Sequence, residues 1–250
     1  MNRKANLVVA GLALLSVGGV LAESPVQWLE SLVPQPAPTA FTSAMEDPWK
    51  APGDFVFGWT QQMVSTVGVG DAQRGAQVAE KARCARCHGD AGVSDEDDTP
   101  SLAGQTAAYT FKQLVDYKTQ RRENRSMRKA VRKLSMRDLA DLGAFYAAQT
   151  PEQRAGGEPP HLVNNGDRSR LLLSCNDCHN DSKEYRSLME IPATISGQKP
   201  EYFVQTMLEF KNGERANDLF GRMRFIASRL TDEEINALAA YYATKPMPEE

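Results

Sequence analysis

The chain has only four cysteines, Cys84, Cys87, Cys175 and Cys178, and two of its three histidines, His88 and His179, follow directly on the second and fourth of them. Both strings read C-x-x-C-H. Two thiols one helical turn apart can add to the two vinyl groups of one porphyrin, and the adjacent imidazole then supplies an axial nitrogen to the iron, so the string is the attachment signal of a c-type haem. A zinc reading needs four ligands per site, and each string offers three. A redox dithiol does not need the histidine and would have to arise twice. The reading is therefore two haem c groups, held covalently by Cys84 and Cys87 and by Cys175 and Cys178, with His88 and His179 as iron ligands. No cysteine is left for a disulfide or a nucleophile.

The sixth iron ligand separates electron transfer from ligand chemistry. The spare histidine, His161, follows Pro159-Pro160 in a linker and reads as a solvated residue. Methionine is the other choice, and it raises the reduction potential. Of nine methionines, Met127 and Met223 alone correspond to each other, each seven residues before a leucine (Leu134, Leu230) that opens the last helix of its repeat. They are read as the axial ligands; the competing use is as core side chains. Pro100 and Pro192 stand shortly before two Gly-Gln pairs. Either they fix a carbonyl that receives the ring N–H of the axial histidine, or they only keep the loop from becoming helix.

The elements that must position these residues come as a repeat. Gly104-Gln105, Tyr109, Tyr117-Lys118 and Arg122 match Gly197-Gln198, Tyr202, Phe210-Lys211 and Arg215 at an offset of 93. Met127, Leu134, Leu142 and Tyr146 match Met223, Leu230, Leu238 and Tyr242 at an offset of 96. The expected organisation is two modules, 71–150 and 165–245, joined by a Pro/Gly linker over 151–164. Each reads as helical. Asp71 caps a helix expected to carry Cys84 near its end, Thr106 to Gln120 bears Tyr109, Leu114 and Tyr117 on one stripe, and Pro200 suits a first helical position. Ser135 opens a last helix, whose counterpart starts with the capping box Thr231 to Glu234.

Residues 1–22 read as a secretory signal: Arg3 and Lys4, an apolar run, and Val20-Leu21-Ala22 at the cut. An uncleaved anchor is the second reading, because residues 5–22 give 18 uncharged positions, the lower limit for a membrane span. Either places the remainder outside the cytoplasm. Residues 23–70 form an extension with six of the 14 prolines and all three tryptophans; Phe55 to Val67 fits a helix or a strand.

Cys-Ala-Arg-Cys-His-Gly-Asp, Ser-Leu-Ala-Gly-Gln, Tyr109 to Tyr117, Met127 and Leu134-Ser135 through Tyr146, with the second copy, resemble the dihaem cytochrome c4 family over about 175 residues. The resemblance implies an all-α chain: two tandem class I cytochrome c domains about a pseudo-twofold axis, with haem propionate edges facing each other. It implies axial pairs His88/Met127 and His179/Met223, and single-electron transfer in the periplasm towards a terminal oxidase. The alternative is a dedicated acceptor subunit of a dehydrogenase, such as a sulfide-oxidising flavoprotein. Two features depart from the family: the second motif continues Cys-His-Asn, and the 48-residue extension is longer than the family needs.

A net charge of -3 argues against a general nucleic-acid binder. Residues 71–150 hold 14 basic and 11 acidic side chains, and residues 151–250 hold 12 and 16. Eight of the basic ones lie from Arg121 to Arg137, around Met127. That cluster is either solvated surface or a dock for an acidic partner; the run Asp95 to Asp98 reads as solvated. Expected partners are redox proteins: a cytochrome bc complex, a haem-copper oxidase or a dehydrogenase. A peroxidase-type enzyme would need an open iron, and the paired methionines argue against one.

Overall fold

The computed structural model describes residues 61–151, 157–179 and 191–244, all within one compact unit, Ala51–Glu250. The expected signal or anchor and most of the Pro/Trp-rich extension lie outside the described residues. Among the described residues the chain is helical, with one isolated antiparallel bridge, Asp167 to Leu172, and no strand. No described helix is long and apolar enough to cross a membrane.

In the first repeat, α1 (Gln61–Gly68) makes the ambiguous stretch helical at its end. α2 (Ala72–Ala82) is capped by the Asp71 carboxylate, which accepts from the Arg74 N–H at 2.8 Å. It stops sooner than expected. Arg83 adopts the left-handed conformation (φ 57°), and its N–H and that of Cys84 satisfy the last helical carbonyls. Cys84 therefore stands just beyond the helix. α3 (Ala85–His88) is the haem-motif turn. α4 (Ala107–Lys118) is capped by Thr106, α5 (Arg125–Val131) by Asn124, and α6 (Met136–Ala147) by a Ser135–Asp138 capping box. α6 is the hub: α2 lies against one side and α4 against another. The α2–α6 approach requires Gly75, since a Cβ there would sit 2.0 Å from the Asp141 carbonyl oxygen. Phe111, Val115, Leu139, Leu142 and Tyr146 fill the core.

The second repeat has α7 (His161–Asn164), a 3-10 turn at Arg168–Arg170, α8 (Asn176–His179), α9 (Pro200–Asn212), a 3-10 turn at Leu219–Gly221, α10 (Arg222–Ala227) and α11 (Asp232–Thr244). Pro200 opens α9, and Thr231 and Glu234 form the capping box of α11, as their types predict. Among the described residues nothing as long as α2 precedes the second motif. Leu162, Val163 and Leu172 from the short turns close the core instead, against Phe203, Met207, Phe210, Ile235, Leu238 and Tyr242.

The two repeats meet by exchanging equivalent contacts. Arg122 lies over its own repeat's Tyr117 ring and donates to the Tyr202 hydroxyl at 3.0 Å. Arg215 lies over Phe210 and donates to the Tyr109 hydroxyl at 3.2 Å. Gln105 bonds to the backbone of Thr194, and Gln198 to that of Ser101. Every partner pair is related by the same offset of 93, so the contact is isologous, as a pseudo-twofold axis requires. Arg122 is thus buried (9% exposed). Arg122 therefore does not share the exposed basic surface, solvated or docking, expected of the cluster: its guanidinium is held over the Tyr117 ring and against the Gln113 and Tyr202 side chains.

Candidate functional site

Each haem motif is one tight turn. In the first, the N–H groups of Cys87 and His88 both donate to the Cys84 carbonyl (3.3 and 3.1 Å). In the second, Cys178 and His179 do the same to Cys175 (3.3 and 2.8 Å). The two cysteines and the histidine of each string are therefore presented from a single turn. None of the four cysteines is in a disulfide. Burial pushes the Cys84 thiol up and the Cys175 thiol up to about 11.

The histidines are held alike. His88, buried, places Nδ1 2.9 Å from the Pro100 carbonyl. His179 places Nδ1 2.9 Å from the Ala193 carbonyl. A carbonyl can only accept, so Nδ1 carries the proton and the lone pair belongs to Nε2, the nitrogen suited to an iron. Burial holds the His88 ring below its ordinary pKa, favouring the neutral ligand form. The proline reading holds in one repeat only. Pro100 supplies the acceptor in the first, but in the second the acceptor is Ala193, one residue after Pro192, because the offset of 93 pairs residue 100 with 193.

Met127 is partly buried on α5, its N–H received by the Asn124 cap at 3.0 Å. Met223, on α10, packs with Cys175 against the second core cluster. The structure thus gathers Met223 and Cys175 around one core. His161 is exposed at the start of α7, as a solvated residue should be. Met207 is core and Met136 lies in the first turn of α6.

The donor set fits a haem at each motif, and the contact between the repeats adds a second indication. Arg122 and Arg215 are buried there and the Lys112 side chain is 14% exposed, with one buried carboxylate, Asp116, which accepts from Lys112 (2.5 Å) and from Asn217 (2.7 Å). Nη1 of Arg215 is buried with no protein acceptor. An excess of buried cations with a spare N–H suits an anionic group such as a porphyrin propionate. Residue-type reasoning missed this cluster as a site, although the repeat already singled out Gln105, Tyr109 and Arg122 with their counterparts. Their identity in both copies was the available signal, since neither core packing nor haem attachment requires a glutamine or an arginine there.

Comparison with known proteins agrees. The cytochrome c family model matches residues 72–145. Cytochrome c4 of Thiocapsa roseopersicina is 37% identical over 181 residues, covering 69% of this chain and 92% of that protein. The thiosulfate dehydrogenase electron acceptor of Stutzerimonas stutzeri (strain A1501) is 31% identical over 183 residues, covering 68% and 82%. The crystal structure of reduced recombinant cytochrome c4 from Pseudomonas stutzeri superposes with a TM-score of 0.63 at 27% identity, covering 71% of this chain and 100% of that one. The chain belongs to the cytochrome c4 family: it is a dihaem electron-transfer cytochrome with haem c cofactors and redox-protein partners.

Proposed function

We propose that Cys84 and Cys87 attach one haem and Cys175 and Cys178 the other, with His88 and Met127 as one axial pair and His179 and Met223 as the second. The observation that carries this reading is the matched geometry of the two histidines, each held through Nδ1 by a backbone carbonyl at 2.9 Å. When bound, each haem supplies a one-electron ferric–ferrous couple. The protein's part is to hold the ligands in place and keep water out. The carbonyls at Pro100 and Ala193 orient the rings, and the methionine segments are fixed by the Asn124 cap of α5 and by the Asp218 carboxylate, which accepts from the Arg224 N–H of α10 at 3.0 Å. With an imidazole and a thioether both ligating, the iron would keep no open position for a substrate, which supports reading the chain as a carrier rather than an enzyme. Arg215 and Arg122 suit the propionates. We read the domains as 71–150 and 161–245, because Leu162 and Val163 of α7 belong to the second core, so the expected linker 151–164 shortens to 151–160.

Residues 1–22, read as an export signal, support action in the periplasm, free or held at the inner membrane through residues 5–22. The favoured route takes electrons from a cytochrome bc complex or a dehydrogenase towards a haem-copper oxidase. A second reading, a dedicated acceptor of one dehydrogenase, is favoured by the likeness to the Stutzerimonas thiosulfate dehydrogenase acceptor. Purification of the native protein from gently solubilised membranes separates the two: an oxidase as companion supports the first, a dehydrogenase with no oxidase the second. The reduced protein should not bind carbon monoxide; binding would reveal an open iron and overturn the carrier reading.

A further inference from the structure

Two peptide units are gripped at both ends. The Pro100 carbonyl accepts from Nδ1 of His88 at 2.9 Å, while the N–H of the same peptide, on Ser101, donates to Oε1 of Gln198 at 2.9 Å. The Ala193 carbonyl accepts from Nδ1 of His179 at 2.9 Å, while the N–H of that peptide, on Thr194, donates to Oε1 of Gln105 at 2.9 Å. In each case the glutamine belongs to the other repeat.

The glutamines are fixed for this task. The N–H groups of Gly104 and Gly197 donate to the carbonyls of Tyr146 and Tyr242 (3.0 and 2.8 Å), anchoring the loops to the last helices. Both glycines have positive φ (70° and 71°), which any other residue would adopt only with strain. Nε2 of Gln105 donates to the Thr194 carbonyl at 2.9 Å, and Nε2 of Gln198 to the Ser101 carbonyl at 3.1 Å. Each Oε1 also receives the next residue's N–H, from Thr106 at 3.1 Å and Lys199 at 2.9 Å. The amide orientation is therefore set by donors on one side and an acceptor on the other.

Hydrogen bonds through one peptide reinforce each other. An acceptor on the N–H draws electron density towards the carbonyl oxygen and strengthens the bond that the oxygen receives. A stronger bond from Nδ1–H makes the imidazole a more basic ligand, which favours the ferric state. We propose that Gln105 and Gln198 are crossed positioning residues: Gln105, in the first repeat, lowers the potential of the second haem through Thr194, Ala193 and His179, and Gln198 does the same to the first haem through Ser101, Pro100 and His88. This rests on the axial histidines assigned above. The arm from Gln105 is the more enclosed, with both of its bonds to Thr194 buried, so it carries the larger effect.

The test uses the full holoprotein with Gln105→Leu and Gln198→Leu. Potentials are read by spectroelectrochemistry, with the haems assigned through Met127→Ala, and the Nδ1–H resonances of His88 and His179 by NMR of the ferrous form. The parent reading is tested first by the wild type, which must show two histidine-ligated haems; its failure appears there and not in the variants. Gln105→Leu should shift the ferrous/ferric equilibrium of the second haem about threefold towards ferrous, roughly 28 mV upward at 59 mV per tenfold. It should weaken the His179 Nδ1–H bond and leave the first haem in place. Gln198→Leu should give the mirror result, smaller. Gln105→Glu keeps an oxygen for the Thr194 N–H and should not raise the second potential. A shift in the variant's own repeat, equal shifts in both haems, no shift at all, or a Glu variant that behaves like Leu would each overturn the crossed relay.

Discussion

The two methionine segments face solvent with opposite chemistry. Around Met127 the first repeat exposes Arg121, Arg125, Arg128, Lys129, Arg132, Lys133 and Arg137; among the described residues, Arg137 alone of these has an acidic partner, Asp141 at 3.4 Å. Around Met223 the second repeat exposes Phe220 (60%) and Phe225 (41%); Arg229 lies on the Phe225 ring at 3.5 Å, and Arg224 is paired with Asp218. At the contact between repeats the same two segments supply matching arginines. Duplication has been kept where the halves must fit each other and lost on the faces turned to solvent. The inner face is set by mutual geometry, which leaves the outer faces free to differ.

The strongest way to break this comparison is at the iron ligands. Met127→Ala and Met223→Ala should each remove the weak sulfur-to-iron band of one ferric haem and lower that haem's potential, whereas Met136→Ala should change neither. Equal loss in Met136→Ala and Met127→Ala would mean that the ligand is misassigned.

Next comes the division within the basic run. Arg122→Glu buries a carboxylate beside Gln113 and Tyr202 and should destabilise the folded chain by roughly 3–5 kcal/mol in denaturant titration, the usual result of breaking a buried charged contact. Arg121→Glu, one residue away and exposed, should stay within about 0.5 kcal/mol of the parent. Similar losses in both would dissolve the distinction between inner and outer face.

The outer face should govern rate. Arg121→Glu, Arg125→Glu and Arg128→Glu together should slow second-order electron exchange with an acidic partner by roughly tenfold or more at low ionic strength and flatten its salt dependence. Spectra should be unchanged. Unaltered rates would leave the apolar Phe220–Phe225 face as the dock.

The smallest effect concerns acid stability. In the first repeat burial alone would raise Asp141, but hydrogen bonds from Arg74 and from the Asp71 N–H outweigh it and hold the carboxyl below its usual range. In the second repeat Ser169 and Arg170 bring Asp167 down to about 2, and Arg170 also holds Glu234 low. Carboxyls depressed in the folded state contribute stability above their ordinary pKa of about 4, and that contribution disappears as pH falls through the depressed values. Arg170→Ala should therefore lower the melting temperature modestly at pH 7 and narrow the gap to the parent as pH falls towards about 2. A gap that widens in acid would contradict the assignment.

Much of this was legible in the residues. Cys84 to His88 and Cys175 to His179 specify their chemistry locally, and the caps at Asp71, Ser135 and Thr231 fix helix starts through contacts three residues long. The end of α2 was not legible, because nothing in Arg83 itself demands a left-handed conformation. The burial of Arg122 was hidden by its neighbours: within a run of arginines, only the ring and phenol supplied by Tyr117 and Tyr202 separate the structural one from the solvated ones. The shift of the histidine acceptor from a proline to Ala193 was set by the repeat register and could have been read from the offset.

The central claim, two haems held by four cysteines, is tested most directly by the mass of the denatured chain after acid–acetone extraction. The account predicts a red polypeptide carrying the mass of two haems, and the mass of one haem when both cysteines of either motif are replaced by alanine. A wild-type chain that retains only one haem, or that yields its haem to the solvent, would contradict it.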